Sequence, residues 1–175
     1  MTPLLRSWWA GELVNHALDQ GTYRFDDVAS PARSYQQPLE VWFGGSGPAA
    51  LARAGRVADG WLGSAVSPQE AQAARLRIEE AAAAAGRAID REHFGLSIPY
   101  AAREPDPRTL ELLRSRRPDA ALDDLLPVGP SRLRELLAAH VDAGLSKFVV
   151  RPVDGDGDRH RALSELADLL LPLQS

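Results

Sequence analysis

The chain has 175 residues, 45% hydrophobic and 25% charged, with a formal net charge of −4. That composition fits one globular domain over residues 1–175 and excludes nucleic-acid recognition through a basic face, which needs clustered Lys and Arg. Cysteine is absent and no run is apolar enough to span a bilayer, so disulfides, thiolate chemistry, cysteine-ligated zinc and membrane partners are excluded and a cytoplasmic protein is expected.

Residues 3–18 have helical spacing, with Leu4, Leu5, Trp8 and Trp9 on one side, until Gly21 breaks the pattern. Thr22 to Val28 reads as a short strand or an ordered loop, with Tyr23 and Phe25 pointing the same way. Ser30 to Pro38 is a polar connector. Leu39 to Phe43 is a short apolar run of strand type, and Gly44, Gly45, Ser46 and Gly47 then free the backbone to turn. Pro48 suits a first helical position. Leu51, Ala54 and Ala58 continue the helical spacing, and Asp59-Gly60 ends it before a second buried strand at Trp61-Leu62. Ser67-Pro68, with Glu70 at the third helical position, opens a long helix that runs to Gly86. Phe94 to Ala101 is a third strand-like run, although Pro99 is unusual for a central strand. The polar stretch from Glu104 to Val128, with helical pieces such as Arg108 to Arg114, reads as a lid or an insertion. Pro130 to Ala143 is an amphipathic helix closed by Gly144, Lys147 to Val153 a fourth strand, Asp154 to Asp158 a loop, and Arg161 to Leu173 the last helix. Strand–helix alternation of this kind calls for an α/β fold with parallel strands and crossover helices.

A strand that ends in glycines at a helix N-terminus leaves N–H groups where a phosphate or other anion can sit. Gly44, Gly45 and Ser46 are therefore the first candidate site. The whole run PLEVWFGGSGPAALARAGRVADGWLG, from Pro38 to Gly63, resembles the luciferase-like monooxygenases, the bacterial-luciferase-like flavin- or deazaflavin-dependent oxidoreductases. Their pattern is an apolar strand, Gly-Gly-Ser, a helix with Arg-Ala, then Ala-Asp-Gly-Trp. Three more stretches are similar to the same family: LLRSWWAGELVNHALDQGTYRFDDV, VGPSRLRELLAAHVDAGLSKFVVRPV and HRALSELADLLLPL.

The resemblance implies a (β/α)8 TIM barrel, of which this chain resembles the later half, with about four parallel strands; a full barrel takes roughly 250 residues. It implies a cofactor, deazaflavin (coenzyme F-420) or FMN, a small organic substrate, and a homodimer or a complementing N-terminal half to complete the site. The first four strands have no counterpart in this sequence, so no catalytic residue carries over. The expected function is that of a truncated luciferase-like oxidoreductase or monooxygenase. The alternative is a non-catalytic binding or oligomeric module, or a remnant of a full-length enzyme.

Gly44, Gly45 and Ser46 match the turn that helps bind the coenzyme in related deazaflavin enzymes; the other reading is a tight turn and nothing more. Asp59 matches a family motif at the bottom of the barrel, a place for stability rather than chemistry. In sugar-phosphate-specific relatives that motif is followed by a phosphate-holding lysine. Here Gly63, Ser64, Ala65 and Val66 follow, which argues against a sugar phosphate. Arg151, at the end of the last strand, either pairs with a phosphate or carboxylate or forms a surface salt bridge with Asp154 or Glu104. His16, His93, His140 and His160 are scattered without metal-ligand spacing. Asp154, Asp156 and Asp158 imitate a calcium loop, with Glu165 at its twelfth position. Its sixth position is Arg159, where glycine is needed, so a solvated turn with an aspartate cap is expected and no metal.

Overall fold

A computed structural model describes residues 1–17, 24–153 and 158–174. Helix α1 spans Thr2–Trp9 and is shorter than the helical spacing predicts. Ala10 closes it and Gly11 follows with a φ of 81°, a backbone state that glycine adopts freely and that stops a helix. The chain then turns into strand β1, Val14–Ala17, which pairs antiparallel with β2, Arg24–Val28. The expected strand thus begins at Arg24 within the described residues, while Thr22 and Tyr23 lie outside them.

Next comes β3, Trp42–Phe43. It is shorter than the apolar run because Val41 donates its N–H to the Asp59 carboxylate at 2.8 Å. Helix α2 covers Pro48–Val57 and β4 covers Gly60–Ser64. Helix α3, Pro68–Ala84, starts at a complete capping box: the Glu70 N–H donates to Ser67 Oγ at 3.3 Å, and the Ser67 N–H donates to the Glu70 carboxylate at 2.8 Å. Strand β5 is Phe94–Tyr100. The stretch read as a lid or an insertion contains two helices, α4 at Pro107–Arg116 and α5 at Leu122–Leu125. Helix α6, Pro130–Asp142, leads to β6, Lys147–Pro152, and then α7, Arg159–Leu170, which ends in a 3-10 turn over Leu171–Leu173. None of the described helices is long and apolar enough to cross a membrane.

Strands β3, β4, β5 and β6 lie side by side in that order, all parallel. Pro99 is accommodated in the central strand β5 because the pairing with β4 ends at Ser64–Ser97. Beyond that point Pro99 has a strand neighbour on the β6 side only.

Side chains alternate across the sheet. Phe43, Trp61, Phe94, Leu96, Ile98, Tyr100, Phe148 and Val150 share one face and pack with Leu51 and Ala54 of α2, Ile78 of α3, Leu133 and Leu136 of α6 and Leu166 of α7. Among the described residues no helix packs on the opposite face. Near the start of the strands two large side chains fill in for small ones: the Trp42 ring lies over Gly60 and the Leu62 side chain over Gly95. Toward the strand ends this face shows Ser64, Ser97, Val149 and Arg151, with Val149 47% exposed. The accessible surface is 11307 Å², where a compact chain of this length exposes roughly 8,400 Å².

At the start of the strands the chain is tied by Asp59. Its carboxylate accepts from Arg6 Nη2 at 2.7 Å and from the Val41 N–H at 2.8 Å, while Arg87 stands 3.8 Å away. Arg87 also donates to the carbonyls of Gly55 and Ala58, and His93 Nδ1 is 3.0 Å from the Asp59 carbonyl. One carboxylate thereby joins α1, the start of β3 and the α2–β4 corner. Replacing Asp59 with Ala strands two partly buried donors, so the variant is expected to lose about 1–3 kcal/mol of stability. Urea denaturation with an unchanged m value checks this, and a loss no greater than that of an ordinary surface substitution would show that the tie is dispensable.

Candidate functional site

Barrel-type sites form at the C-terminal ends of the strands. There, Gly44, Gly45 and Ser46 follow β3 directly and are exposed. Gly45 has a φ of 97°, and a Cβ on it would come within 2.9 Å of the Ala50 Cβ. Only glycine keeps this backbone flat against α2. Helix α2 then starts at Pro48 after the N-cap Gly47, with no side-chain cap and no acidic residue in its first turn. Its positive end is therefore uncovered, unlike that of α3, whose N-terminus is closed by Ser67 and Glu70.

The turn is held from below by a contact that strand-by-strand reading misses. Trp61 is fully buried on the helix-covered face, and its indole N–H donates to the Gly45 carbonyl at 2.9 Å. Its ring lies flat over Gly63, where an added Cβ would come within 2.3 Å of it. The Gly-Gly-Ser and Ala-Asp-Gly-Trp stretches are thus two ends of one contact. The signal available beforehand was the pairing of Phe43 with Trp61 that adjacent parallel strands imply.

Arg151 is exposed on the helix-free face, and its Nε donates to Ser97 Oγ at 3.0 Å. No carboxylate among the described residues pairs with it, so the expected contact with Glu104 is absent there; Asp154 lies outside the described residues. Arg151 on β6 and the glycine turn after β3 occupy the two edges of the sheet, about 14 Å apart at the usual strand spacing.

The segment between β5 and α6 is fastened beside the same end of the sheet. Arg117, just after α4, donates to the Ala65 carbonyl and to the Glu70 carboxylate, the latter at 2.7 Å. The hydrogen bond from Arg117 is the main reason the Glu70 carboxyl is held below its usual range. Arg132 of α6 reaches Asp124 of α5 at 3.1 Å. Leu125, Leu126 and Pro127 are buried beneath these links.

Other candidates fall away from this end. His93 sits just before β5, 5.3 Å from the Trp42 ring, and Asp59 has the tying role already described. His16 is in β1, and His160, at the start of α7, is exposed. Asp158 accepts from the Arg161 N–H at 3.0 Å and caps α7, while Asp154 and Asp156 lie outside the described residues. No group of three or more His, Asp or Glu side chains among the described residues is placed to hold a metal ion. A hollow of about 260 Å³ between α1 and the β1–β2 hairpin is lined by Leu4, Leu5, Trp8, Val14 and Phe25, and touches none of the parallel strands.

Parallel strands joined by helices, with a glycine turn at the C-terminal edge, define a segment of the TIM-barrel class. The profile of the luciferase-like monooxygenases matches residues 2–150, and the chain belongs to that family. An F420-dependent glucose-6-phosphate dehydrogenase from Microbacterium testaceum (strain StLB037) is 24% identical over 97% of this chain and 57% of its own length. The coenzyme F420 dependent tetrahydromethanopterin reductase from Methanopyrus kandleri superposes with a TM-score of 0.72 at 18% identity, over 98% of this chain and 61% of that one. The oxygenating constituent of 3,6-diketocamphane monooxygenase from Pseudomonas putida, in complex with FMN, gives a TM-score of 0.57 at 16% identity, over 92% of this chain and 57% of that one. The chain therefore spans about three fifths of the length of these relatives.

His140 of α6 is the buried histidine of this fold. It is fully buried, with its ring 6.5 Å from Phe148, and neither ring nitrogen has a partner. Burial lowers its pKa from 6.5 to about 4, against a smaller opposing pull from Asp124. The unfolded chain therefore takes up this proton first. Stability is complete above pH 6.5, falls as the pH drops, and stops falling near pH 4, with a total loss of up to about 3 kcal/mol. His140→Leu is expected to flatten the fall of Tm across that interval, and an unchanged slope would reject the assignment.

Proposed function

We propose that this chain forms one wall of a flavin- or deazaflavin-dependent oxidoreductase and holds coenzyme F-420 or FMN against Gly44, Gly45 and Ser46. The observation that carries the reading is the uncovered first turn of α2 behind a glycine turn that Trp61 fixes from below. The residues present fit such a group. Gly45 leaves the approach free of a side chain, Ser46 offers a hydroxyl, and the end of α2 favours a negatively charged moiety. When bound, the reduced cofactor supplies hydride or oxygen chemistry. The chain's own contribution is to bind and orient it. The named cofactors of the relatives, F420 in two and FMN in one, support the choice of ligand.

The site needs further walls. A parallel sheet is ordinarily covered on both faces, and open strand edges recruit partners. Here one face is bare and the accessible surface exceeds that of a compact chain by roughly a third. A second copy, or a complementing N-terminal half, closes the barrel in this reading. A cytoplasmic setting goes with it.

Two measurements test the proposal together. Fluorescence titration of the purified chain with coenzyme F-420 and with FMN is expected to give saturable binding of one of them. Sedimentation is expected to show a dimer, or a complex with the complementing half. Gly45→Val puts a β-branched residue at positive φ and is expected to abolish binding. Ser46→Ala, a milder change, is expected to weaken it about twofold to tenfold. A monomer that takes up neither cofactor would overturn the proposal.

A further inference from the structure

None of the four parallel strands contains an acidic residue, in a chain of net charge −4. Among the strand residues, the charged side chains on the helix-free face are Lys147, at the beginning of β6, and Arg151, near its end. Both stand on the β6 edge, while at the β3 edge the Glu40 carboxylate accepts from the Trp42 indole N–H at 3.0 Å, so it is the β6 side of this face that favours anions.

Within the face, polar groups gather at one level. Ser64 of β4 pairs in register with Ser97 of β5, and Arg151 of β6 reaches diagonally back to Ser97. The Ser97 hydroxyl takes only the Nε proton. The two terminal nitrogens of the Arg151 guanidinium have no partner among the described residues, and they form the planar fork that fits two oxygens at once. Ser97 still has its own O–H to donate, and so does Ser64 on the next strand. This is the C-terminal half of the sheet, the level at which barrel enzymes bind their ligands.

We propose that Arg151, oriented by Ser97 and flanked by Ser64, is the binding point for an oxyanion of the substrate, a carboxylate or a phosphate, on the helix-free face. The substrate class is accordingly an anionic small molecule. The proposal rests on the reading of this face as an inner wall of the site. Arg151 is a binding residue in it and Ser97 a positioning residue: the hydroxyl takes the Nε proton and so restrains the guanidinium plane, leaving the two terminal nitrogens for the ligand.

The test follows the arginine Nε–Hε resonances by nitrogen-15 NMR. The protein is titrated with inorganic phosphate and, separately, with acetate, at constant ionic strength and without cofactor. The Arg151 signal, assigned by its disappearance in Arg151→Gln, is expected to shift saturably, with dissociation constants on the order of 1–10 mM for so small a probe. Saturation by acetate alone assigns a carboxylate, and by phosphate alone a phosphate; either supports the proposal. Ser97→Ala is expected to keep the fold and weaken the binding about threefold to tenfold, the loss of one hydrogen bond. Absence of a saturable shift with both probes, or an equal shift at the exposed arginines Arg24 and Arg161, would overturn it. Full affinity in Ser97→Ala would overturn the positioning role. Gly45→Val is expected to leave the Arg151 titration unchanged; an unmutated chain that binds the anions at Arg151 but takes up neither cofactor rejects the cofactor reading alone, and one that takes up a cofactor without a saturable Arg151 shift rejects this inference alone.

Discussion

The helices of this chain cover its parallel sheet from one side, and the rest of the molecule follows from that asymmetry. On the covered side the alternating residues of β4 and β5 are fully apolar and meet α2, α3, α6 and α7. On the bare side the same alternation places two large side chains over glycines at the bottom, and hydroxyls and the Arg151 cation toward the top. A side chain of ordinary size at Gly60 or Gly95 would collide with Trp42, with the His93 carbonyl or with the Lys147 backbone. The bare side is thus filled at one end and open at the other. Each Å² of apolar area left wet on that side forgoes about 20–33 cal/mol.

Trp61 carries the asymmetry over to the candidate site. Its side chain belongs to the covered face, where it is fully buried, yet its one polar atom reaches the turn that follows the neighbouring strand. A buried indole N–H without a partner costs on the order of 1–3 kcal/mol, so the core itself favours the turn conformation that satisfies it. That conformation exposes the first turn of α2. Packing on one side of the sheet therefore presets the geometry of a polar turn at its end. No loop rearrangement is required for the backbone around Gly45 to be open.

The parts of the fold legible in sequence are those that local chemistry decides. Ser67, Pro68 and Glu70 start α3 through groups within three residues of one another, and Gly144 ends α6 through its own φ. The extent of α1 was not legible, because Leu13 and Val14 continue a helical pattern while the antiparallel partner of Val14 lies at Val28. The length of β3 depends on Asp59, eighteen residues away, which captures the Val41 N–H. At the site, the glycine turn was visible as a motif. The Trp61 contact that fixes it and the Ser97 hydroxyl that orients Arg151 were not, since both are products of strand register. The 104–128 stretch shows the same division: Asp106 caps α4 locally, while the link from Arg117 to Glu70 spans 47 positions.

Charge distribution on the two ends of the sheet separates holding from binding. At the start of the strands, Asp59 is surrounded by Arg6 and Arg87, and its carboxylate is used up by the scaffold. At the other end the relation is inverted. Among the described residues Arg151 has a hydroxyl and no carboxylate beside it, and α2 has a glycine cap and no acid in its first turn. An ion pair closed within the protein has little left to offer a ligand, whereas a cation oriented by a neutral group keeps its full charge available. The same chain uses both devices, one at each end of four short strands. The end with unspent positive character is also the end where the family fold binds its ligands, and this coincidence, more than any single residue, is what favours the proposed reading of the glycine turn as a site over that of a mere corner.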